Sequence, residues 1–332
     1  MRTPHRKGGR FRGRAAAAIL AAGALALSAC AADSPGDLTL ATGSTGGTYY
    51  PLGGEIASVW SSEIEGISVT ATVGGASVEN LRALDQGEVD LIMSVNATAA
   101  DAVDGTGDFA DQPLANPQNI RVLGNIYPEI VQIVTTAQSG IESIEDLRGK
   151  RVEMGPPGSA TYVMAEQILR AYGIDPQTDL AATLDSGFGD AATNLGDGVV
   201  DAAFGILAAP TGSIEQLATS HDVVLLDISG PELEAILAEN ELLSAHEIPA
   251  GTYSGVDEPN ATITSWATLY TTADLDEETA YELVRVMYEH GDRVQHSAAE
   301  DMVLENAVDG LGPIEMHPGA VRYYEEQGVT IP

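Results

Sequence analysis

The sequence contains one cysteine, Cys30, among 332 residues, so no disulfide bond can form within the chain. Basic residues are also scarce: 15 Lys and Arg stand against 49 Asp and Glu, for a net charge of −34. Because binding to phosphates depends on clustered Lys and Arg, this charge excludes nucleic acid as a partner. Aromatic residues make up 5% of the chain and hydrophobic residues 44%, which predicts a core built mainly from Ala, Val, Ile and Leu.

Recognisable catalytic and cofactor motifs are missing as well. The glycine-rich segment 43–47 does not fit a dinucleotide fingerprint, and Lys150 is followed by Arg151 where a phosphate-binding loop needs Ser or Thr. The chain has no Gly-x-Ser-x-Gly elbow of a serine hydrolase. The six histidines are scattered, without the spacing of a zinc site. We therefore expect a protein that is not an enzyme and that carries neither a cofactor nor a metal ion.

The first 30 residues have the pattern of an export signal. A basic, acid-free segment is followed by a short apolar run over residues 15–27, whereas a membrane-spanning helix needs about 20 apolar residues. The run ends in Leu-Ser-Ala-Cys at positions 27–30, which resembles a bacterial lipobox. This predicts a lipoprotein signal peptide at 1–29, lipidation at Cys30, a linker at 30–37, and an extracytoplasmic protein held to the cell membrane only by its lipid. In the alternative interpretation, Cys30 is merely the last residue of an ordinary signal.

After the linker, strand and helix patterns alternate, which predicts an α/β protein with parallel strands. Two longer β-rich stretches, at 122–136 and 261–271, interrupt this alternation. We interpret them as two crossing strands that join two α/β lobes through a hinge. The predicted boundaries are 38–130 and 266–332 for lobe 1 and 131–265 for lobe 2.

Four turns rich in small residues, each between a predicted strand and a helix, mark the candidate ligand site. They lie at 43–50, 74–80, 155–161 and 185–189. In open α/β sheets, ligands bind outside the carboxyl ends of the strands. The first turn of a helix offers unpaired N–H groups and a partial positive charge there, so a carboxylate can be bound without a basic side chain.

Polar and aromatic side chains in and beside these turns are the candidate ligand contacts. They are Ser44, Thr45, Thr48, Tyr49, Ser77, Asn80, Ser94, Asn96, Ser159, Thr161, Tyr162 and Phe204. Each polar residue has an alternative role as a helix cap, and each aromatic residue has an alternative role in core packing.

Several motifs, in order along the chain, resemble the TAXI family of TRAP-transporter solute receptors. They are Ala-Thr-Gly-Ser-Thr-Gly-Gly-Thr-Tyr-Tyr-Pro-Leu-Gly at 41–53, Gly-Gly-Ala-Ser-Val-Glu-Asn-Leu at 74–81, Asp-Leu-Arg-Gly-Lys-Arg-Val at 146–152 with Gly-Pro-Pro-Gly-Ser at 155–159, Asp-Ala-Ala-Phe at 201–204, and Met-His-Pro-Gly-Ala-Val-Arg-Tyr-Tyr at 316–324. The resemblance extends from Leu38 to about Val329. The chain departs from the family pattern at Ala160, where Gly is common, and at 94–96, where family members often read Gln-Ser-Asp.

The resemblance implies a periplasmic-binding-protein type II fold that binds a small organic anion. Related receptors are linked to glutamate, glutamine or dicarboxylates such as 2-oxoglutarate. The implied partners are the subunits of a TRAP membrane permease driven by an ion gradient. A sensory receptor of the same fold, which passes its signal to a membrane signalling protein, is the alternative function that the sequence leaves open.

Overall fold

The computed structural model describes residues 36–332. The predicted signal peptide and Cys30 lie outside these described residues. Within them the chain forms one mixed sheet of ten strands surrounded by helices. The strands are β1 (Asp37–Ala41), β2 (Ser68–Thr72), β3 (Leu91–Val95), β4 (Ile120–Thr136), β5 (Arg151–Glu153), β6 (Ala182–Leu184), β7 (Ala202–Leu207), β8 (Val223–Leu225), β9 (Ser244–Ile248) and β10 (Asn260–Thr272).

The strand order shows how the sheet is divided. It runs β2-β1-β3-β10-β4-β7-β5-β6, with β8 paired to β4 and β9 paired to β10. Strands β1–β3 are parallel to one another, as are β5–β7. Between these two sets lie the long strands β4 and β10, which pair in antiparallel fashion. The two predicted crossing strands are thus adjacent and central.

Nine α-helices of the described residues pack on this sheet. They are α1 (Tyr49–Glu63), α2 (Ser77–Asp85), α3 (Asn96–Asp104), α4 (Ala160–Ala171), α5 (Phe188–Gly196), α6 (Gly212–Ala218), α7 (Gly230–Glu239), α8 (Glu277–Glu289) and α9 (Pro318–Glu326). None of the described helices is both long and apolar enough to cross a membrane. We call residues 37–104 the first half and residues 151–218 the second half.

The halves have separate apolar cores. One core packs α1, α8 and α9 against β1 and β3 around the fully buried Trp60, whose indole N–H donates to the Leu283 carbonyl at 2.8 Å. Another packs α4 against β5 and β7, with Ile168, Leu169 and Phe204 buried in it. The two cores are largely separate, although Ala208 packs into the first and Val95 and Ala97 into the second, and the central strands are shared. This arrangement suits the predicted lobes, whose boundaries stay a prediction.

Most predicted helices and strands agree with the structure, but β9 and α7 have no clear pattern in the sequence. Helices α2 and α8 have the bounds that their apolar spacing predicts. Strand β9 and helix α7 were not predicted: β9 is an edge strand with exposed side chains, and α7 buries only Ile236. The acidic, glycine-rich composition of residues 101–111 predicts a surface loop, but α3 continues through Asp104 and Phe109 is buried beyond it.

Candidate ligand-binding site

A cavity of about 70 Å³ lies between the two halves, at the carboxyl ends of the parallel strands, and is partly open to solvent. All four predicted turns contribute to its walls, the fourth through Phe188 at the start of α5. Strand β4, which belongs to neither half, contributes Tyr127 and Glu129. The cavity is therefore where the sequence predicts a ligand site.

Seven of the twelve candidate residues line this cavity, and five do not. Those in its wall are Ser44, Thr48, Tyr49, Ser77, Ser159, Thr161 and Phe204. Those outside it are Thr45, Asn80, Ser94, Asn96 and Tyr162.

The residues outside the lining have other positions in the fold. Thr45 is exposed. Asn80 is buried, and its side-chain amide donates to the carbonyls of Ala41, Thr42 and Met93, which joins β1 to β3. Because its amide donates to these backbone carbonyls, Asn80 has a structural role.

The other three candidates, Ser94, Asn96 and Tyr162, also have structural roles. Ser94 is fully buried within β3. The Asn96 side chain donates to the Gly310 carbonyl and accepts from the Trp266 N–H at 3.1 Å. Tyr162 is half-buried and packs against the core of the second half.

Most hydroxyls in the cavity wall accept a hydrogen bond from the backbone. Ser159 is the N-cap of α4 and accepts from the Tyr162 N–H. Ser77 accepts from the Val95 N–H, and Thr161 from the Ile206 N–H. These contacts fix the wall, and they leave the hydroxyl hydrogen of Thr161 available to a ligand because no acceptor is paired with it in the described structure, whereas Ser77 also interacts with the Tyr49 hydroxyl.

The helix starts at the cavity differ in what they offer a ligand. At α4 the N–H groups of Ala160 and Thr161 have no partner among the described residues, as expected of a first helical turn. At α2, by contrast, Gly158 of the second half already accepts from the N–H groups of Val78 and Glu79, at 3.1 and 3.2 Å. The start of α4 therefore has free N–H groups at the cavity, whereas two of those at the start of α2 are already paired.

Other contacts across the cavity show that the two halves are closed on one another. The Ala208 N–H donates to the Thr48 hydroxyl at 3.0 Å, and the Ser213 hydroxyl donates to the Gly46 carbonyl at 2.9 Å. Gly46 and Gly189 approach so closely that a Cβ on Gly46 would lie 2.2 Å from the Gly189 Cα. Glycine at position 46 thus permits closure because it has no side chain.

The sequence analysis did not identify Glu129, which is the residue in the cavity wall with the most unusual environment. It lies on β4 opposite Ser265 of β10, and only 2% of its surface is exposed. Strands buried on both faces rarely contain a carboxylate. The sequence therefore does indicate Glu129, as one acidic residue inside the apolar stretch 122–136.

Two tyrosines surround the Glu129 carboxyl. The Tyr127 hydroxyl donates to Oε1 at 2.7 Å. The Tyr49 hydroxyl and Glu129 Oε2 are buried without a well-formed hydrogen bond, and each is near enough to the other for a weak side-chain hydrogen bond to shift its pKa. The rings of Tyr49 and Tyr127 meet edge to face, with centroids 6.3 Å apart.

Burial determines the ionisation of this group. Loss of hydration raises the pKa of Glu129 to about 8, against the opposing effect of the two tyrosine hydroxyls. Burial and the nearby carboxyl raise the pKa of both tyrosines as well. At neutral pH the cavity therefore holds a neutral Glu129, and no Lys, Arg or His contributes to its wall.

No group of three His, Cys, Asp or Glu side chains within residues 36–332 is placed to hold a metal ion. The cavity wall consists of glycine backbone, hydroxyls, aromatic and aliphatic side chains and a single carboxyl. This composition suits non-covalent binding of a small molecule.

Comparisons with known proteins agree with this architecture. The pattern of the NMT1-like family matches residues 40–328. A protein of Bordetella bronchiseptica RB50 superposes with a TM-score of 0.53 at 18% identity, covering 87% of this chain and 82% of that one. MatC of Rhodopseudomonas palustris, solved with bound malate, superposes with a TM-score of 0.53 at 15% identity, covering 88% and 95%. The predicted α/β, type II periplasmic-binding-protein fold is confirmed.

Proposed function

Because the chain belongs to the NMT1-like family, we propose that it is an extracytoplasmic solute receptor rather than an enzyme. It binds a small organic acid in the cavity between the two halves and presents it to a membrane transporter. The observation that carries this proposal is the cavity between the halves at the carboxyl ends of the strands, with unpaired N–H groups of α4 in its wall.

The contacts between the halves support a receptor that opens and closes. Few hydrogen bonds join residues 37–104 to residues 151–218, and they lie around the cavity. The shared strands β4 and β10 connect the halves behind it. A ligand that touches both halves only when they are closed favours the closed state.

The ligand classes that we propose are glutamate or glutamine, or a dicarboxylate such as 2-oxoglutarate. The support is the α4 helix start, which binds a carboxylate without a basic side chain, and the resemblance of the turns to TAXI receptors. MatC, which shares the fold, was solved with malate, a small carboxylate.

Isothermal titration calorimetry of the purified protein with L-glutamate, L-glutamine, 2-oxoglutarate and succinate tests this proposal. At least one of them should bind at micromolar to millimolar concentration. Ser159→Leu, which fills the cavity, should abolish binding, whereas Thr45→Leu, at an exposed site outside the cavity, should leave it intact. Absence of binding to all four compounds would contradict the proposal, provided that circular dichroism shows a folded protein.

The partner that we propose is a TRAP permease, and the receptor is held to the membrane by a lipid on Cys30. The lipobox pattern and the TAXI motifs support this part. Uptake of the bound solute by membrane vesicles should stop when an ionophore dissipates the ion gradient and should continue when ATP is depleted. The opposite pattern points to an ATP-driven transporter.

A further inference from the structure

Glu129 and Tyr49 present two unpaired oxygens in the wall of the cavity. Both side chains are more than nine-tenths buried, and neither Glu129 Oε2 nor the Tyr49 hydroxyl has a well-formed hydrogen bond. A buried polar atom without a partner costs on the order of 1–3 kcal/mol, so such pairs are uncommon in a folded protein. Both residues line the cavity, which means that a ligand can supply the missing partner.

The position of the carboxyl is fixed by its surroundings. The Tyr127 hydroxyl holds Oε1 at 2.7 Å. The Glu129 backbone is anchored on β4, where its carbonyl accepts from the Thr264 hydroxyl at 3.0 Å. These two contacts fix one carboxyl oxygen and the backbone of Glu129.

The charges around Glu129 identify the kind of group that would bind there. The titratable groups that face it are the hydroxyls of Tyr49 and Tyr127, and Asp101 lines an adjoining smaller cavity that also reaches Glu129. No Lys, Arg or His lines either cavity. A second ligand carboxylate at this end would meet no cation to neutralise it, whereas a ligand cation would be stabilised by Glu129 once that carboxyl has ionised.

We propose that Glu129 and Tyr49 form a subsite for the ammonium group of an amino acid, whose carboxylate is held by the N–H groups at the start of α4. The proposal rests on the proposed function and distinguishes between its ligand classes. An ammonium group donates three hydrogen bonds and can satisfy Oε2 and the Tyr49 hydroxyl together. The ammonium and α-carboxylate groups of the bound amino acid have opposite charges that cancel, which suits a cavity without basic side chains.

A proton is released on binding. In the empty cavity burial keeps Glu129 protonated, since its pKa is about 8, and a cation at Oε2 favours the ionised form. The proton leaves the carboxyl for solvent as the ammonium group takes its place, so the number of protons released reports on this contact alone. A dicarboxylate bound beside a neutral Glu129 releases none.

The test compares amino acids with their own 2-oxo acids, because each pair differs only at the amine. The probes are L-glutamate with 2-oxoglutarate, L-leucine with 4-methyl-2-oxopentanoate and L-phenylalanine with phenylpyruvate, titrated near neutral pH in buffers of different ionisation enthalpy. We expect the tightest ligand to be an amino acid, bound about tenfold or more tightly than its oxo acid, with proton release.

Two variants complete the test. Glu129→Gln should weaken amino-acid binding about 30-fold or more, abolish proton release and change oxo-acid binding by no more than about threefold. The control Glu88→Gln removes an exposed carboxylate that lies outside the cavity lining, and it should change neither quantity.

The outcomes separate this proposal from the proposed function. An oxo acid or succinate that binds as tightly as any amino acid, or amino-acid binding that survives Glu129→Gln, overturns the ammonium subsite and leaves the solute receptor standing. Absence of binding to every amino acid and organic anion tested overturns the receptor itself, and the subsite with it.

Discussion

The backbone N–H of Val78, in the first turn of α2, donates to the carbonyl of Gly158, 3.1 Å away in the turn before α4. The N–H of Glu79 donates to the same carbonyl at 3.2 Å. The second half of the protein thus caps a helix of the first half. Because a helix start is an anion site only while its N–H groups are free, this contact assigns α2 to closure and leaves α4 for the ligand.

Gly46→Ala should prevent closure. A Cβ at this position would lie 2.2 Å from the Cα and 2.4 Å from the N of Gly189, and these backbone atoms cannot move without separating the halves. We expect ligand affinity to fall about tenfold or more, since it scales with the fraction of molecules that can close, while the circular dichroism spectrum is unchanged.

Gly54→Ala is the matched control for this substitution. Gly54 lies within α1, with no atom within 4 Å of the position that a Cβ would occupy. Alanine should preserve affinity and raise stability by about 0.5–1 kcal/mol through its helix propensity. Equal affinities for Gly46→Ala and Gly54→Ala would show that the contact with Gly189 is not needed for binding.

Thr48→Val should weaken binding by removing a hydrogen bond between the halves. The Thr48 hydroxyl accepts from the Ala208 N–H at 3.0 Å, and both groups are buried in the closed structure. Leaving this N–H unpaired costs about 1–2 kcal/mol, so calorimetry should show an affinity about tenfold lower. Thr48→Ser keeps the hydroxyl and should bind normally; a similar loss in both variants would point to packing instead.

Asn80→Ala should reduce stability rather than affinity. The Asn80 amide satisfies the carbonyls of Ala41, Thr42 and Met93 inside the protein. Its removal should lower the free energy of unfolding in urea by about 2 kcal/mol or more.

Asn116→Ala serves as the comparison for this substitution. Asn116 is exposed, and its side chain has no hydrogen bond in the described structure, so this variant should lie within about 0.5 kcal/mol of the parent protein. A normal unfolding midpoint with lost affinity in Asn80→Ala would instead make Asn80 a ligand contact.

Because of Glu129, the free energy of unfolding should decrease as pH rises, whereas a salt-bridged carboxylate would make it increase. Its folded pKa of about 8 lies above the ordinary value of 4.5, so between these values the folded state binds the proton that the unfolded state has lost. This carboxyl therefore destabilises the folded state as pH rises through that window, and adds no further pH dependence above it.

The same effect can be isolated with Glu129→Gln, which cannot ionise. The free energy of unfolding of the parent, relative to this variant, should fall by on the order of 1 kcal/mol or more from the acidic to the alkaline end of the window. Urea unfolding at several pH values measures the difference. Parallel pH profiles for the two proteins would contradict a protonated Glu129.

The sequence predicts the parts of this molecule that depend on local pattern. The apolar spacing of α8 and the small-residue turns before α1 and α4 are visible without coordinates, and the turns do surround the cavity. Long-range relationships are not visible in this way. Nothing in the spacing reveals that Gly158 caps α2, that Asn80 joins two strands, or that Thr45 is exposed.

For Glu129, the sequence pattern indicates the position of the residue but not its role. Periodicity assigns its segment to a strand, and the acidic residue inside that strand is the signal of a functional group. Its role depends on the tyrosines that face it, and Tyr49 is distant from it in sequence. Only the fold brings Tyr49 and Glu129 to the same wall.

A crystal structure of the protein grown with the tightest ligand from the calorimetric panel tests the central claim most directly. We predict electron density for the ligand in the cavity between the halves, with a carboxylate within hydrogen-bond distance of the Ala160 N–H and an ammonium group at Glu129 Oε2. Ligand density elsewhere on the protein, with this cavity filled only by water, would contradict the account.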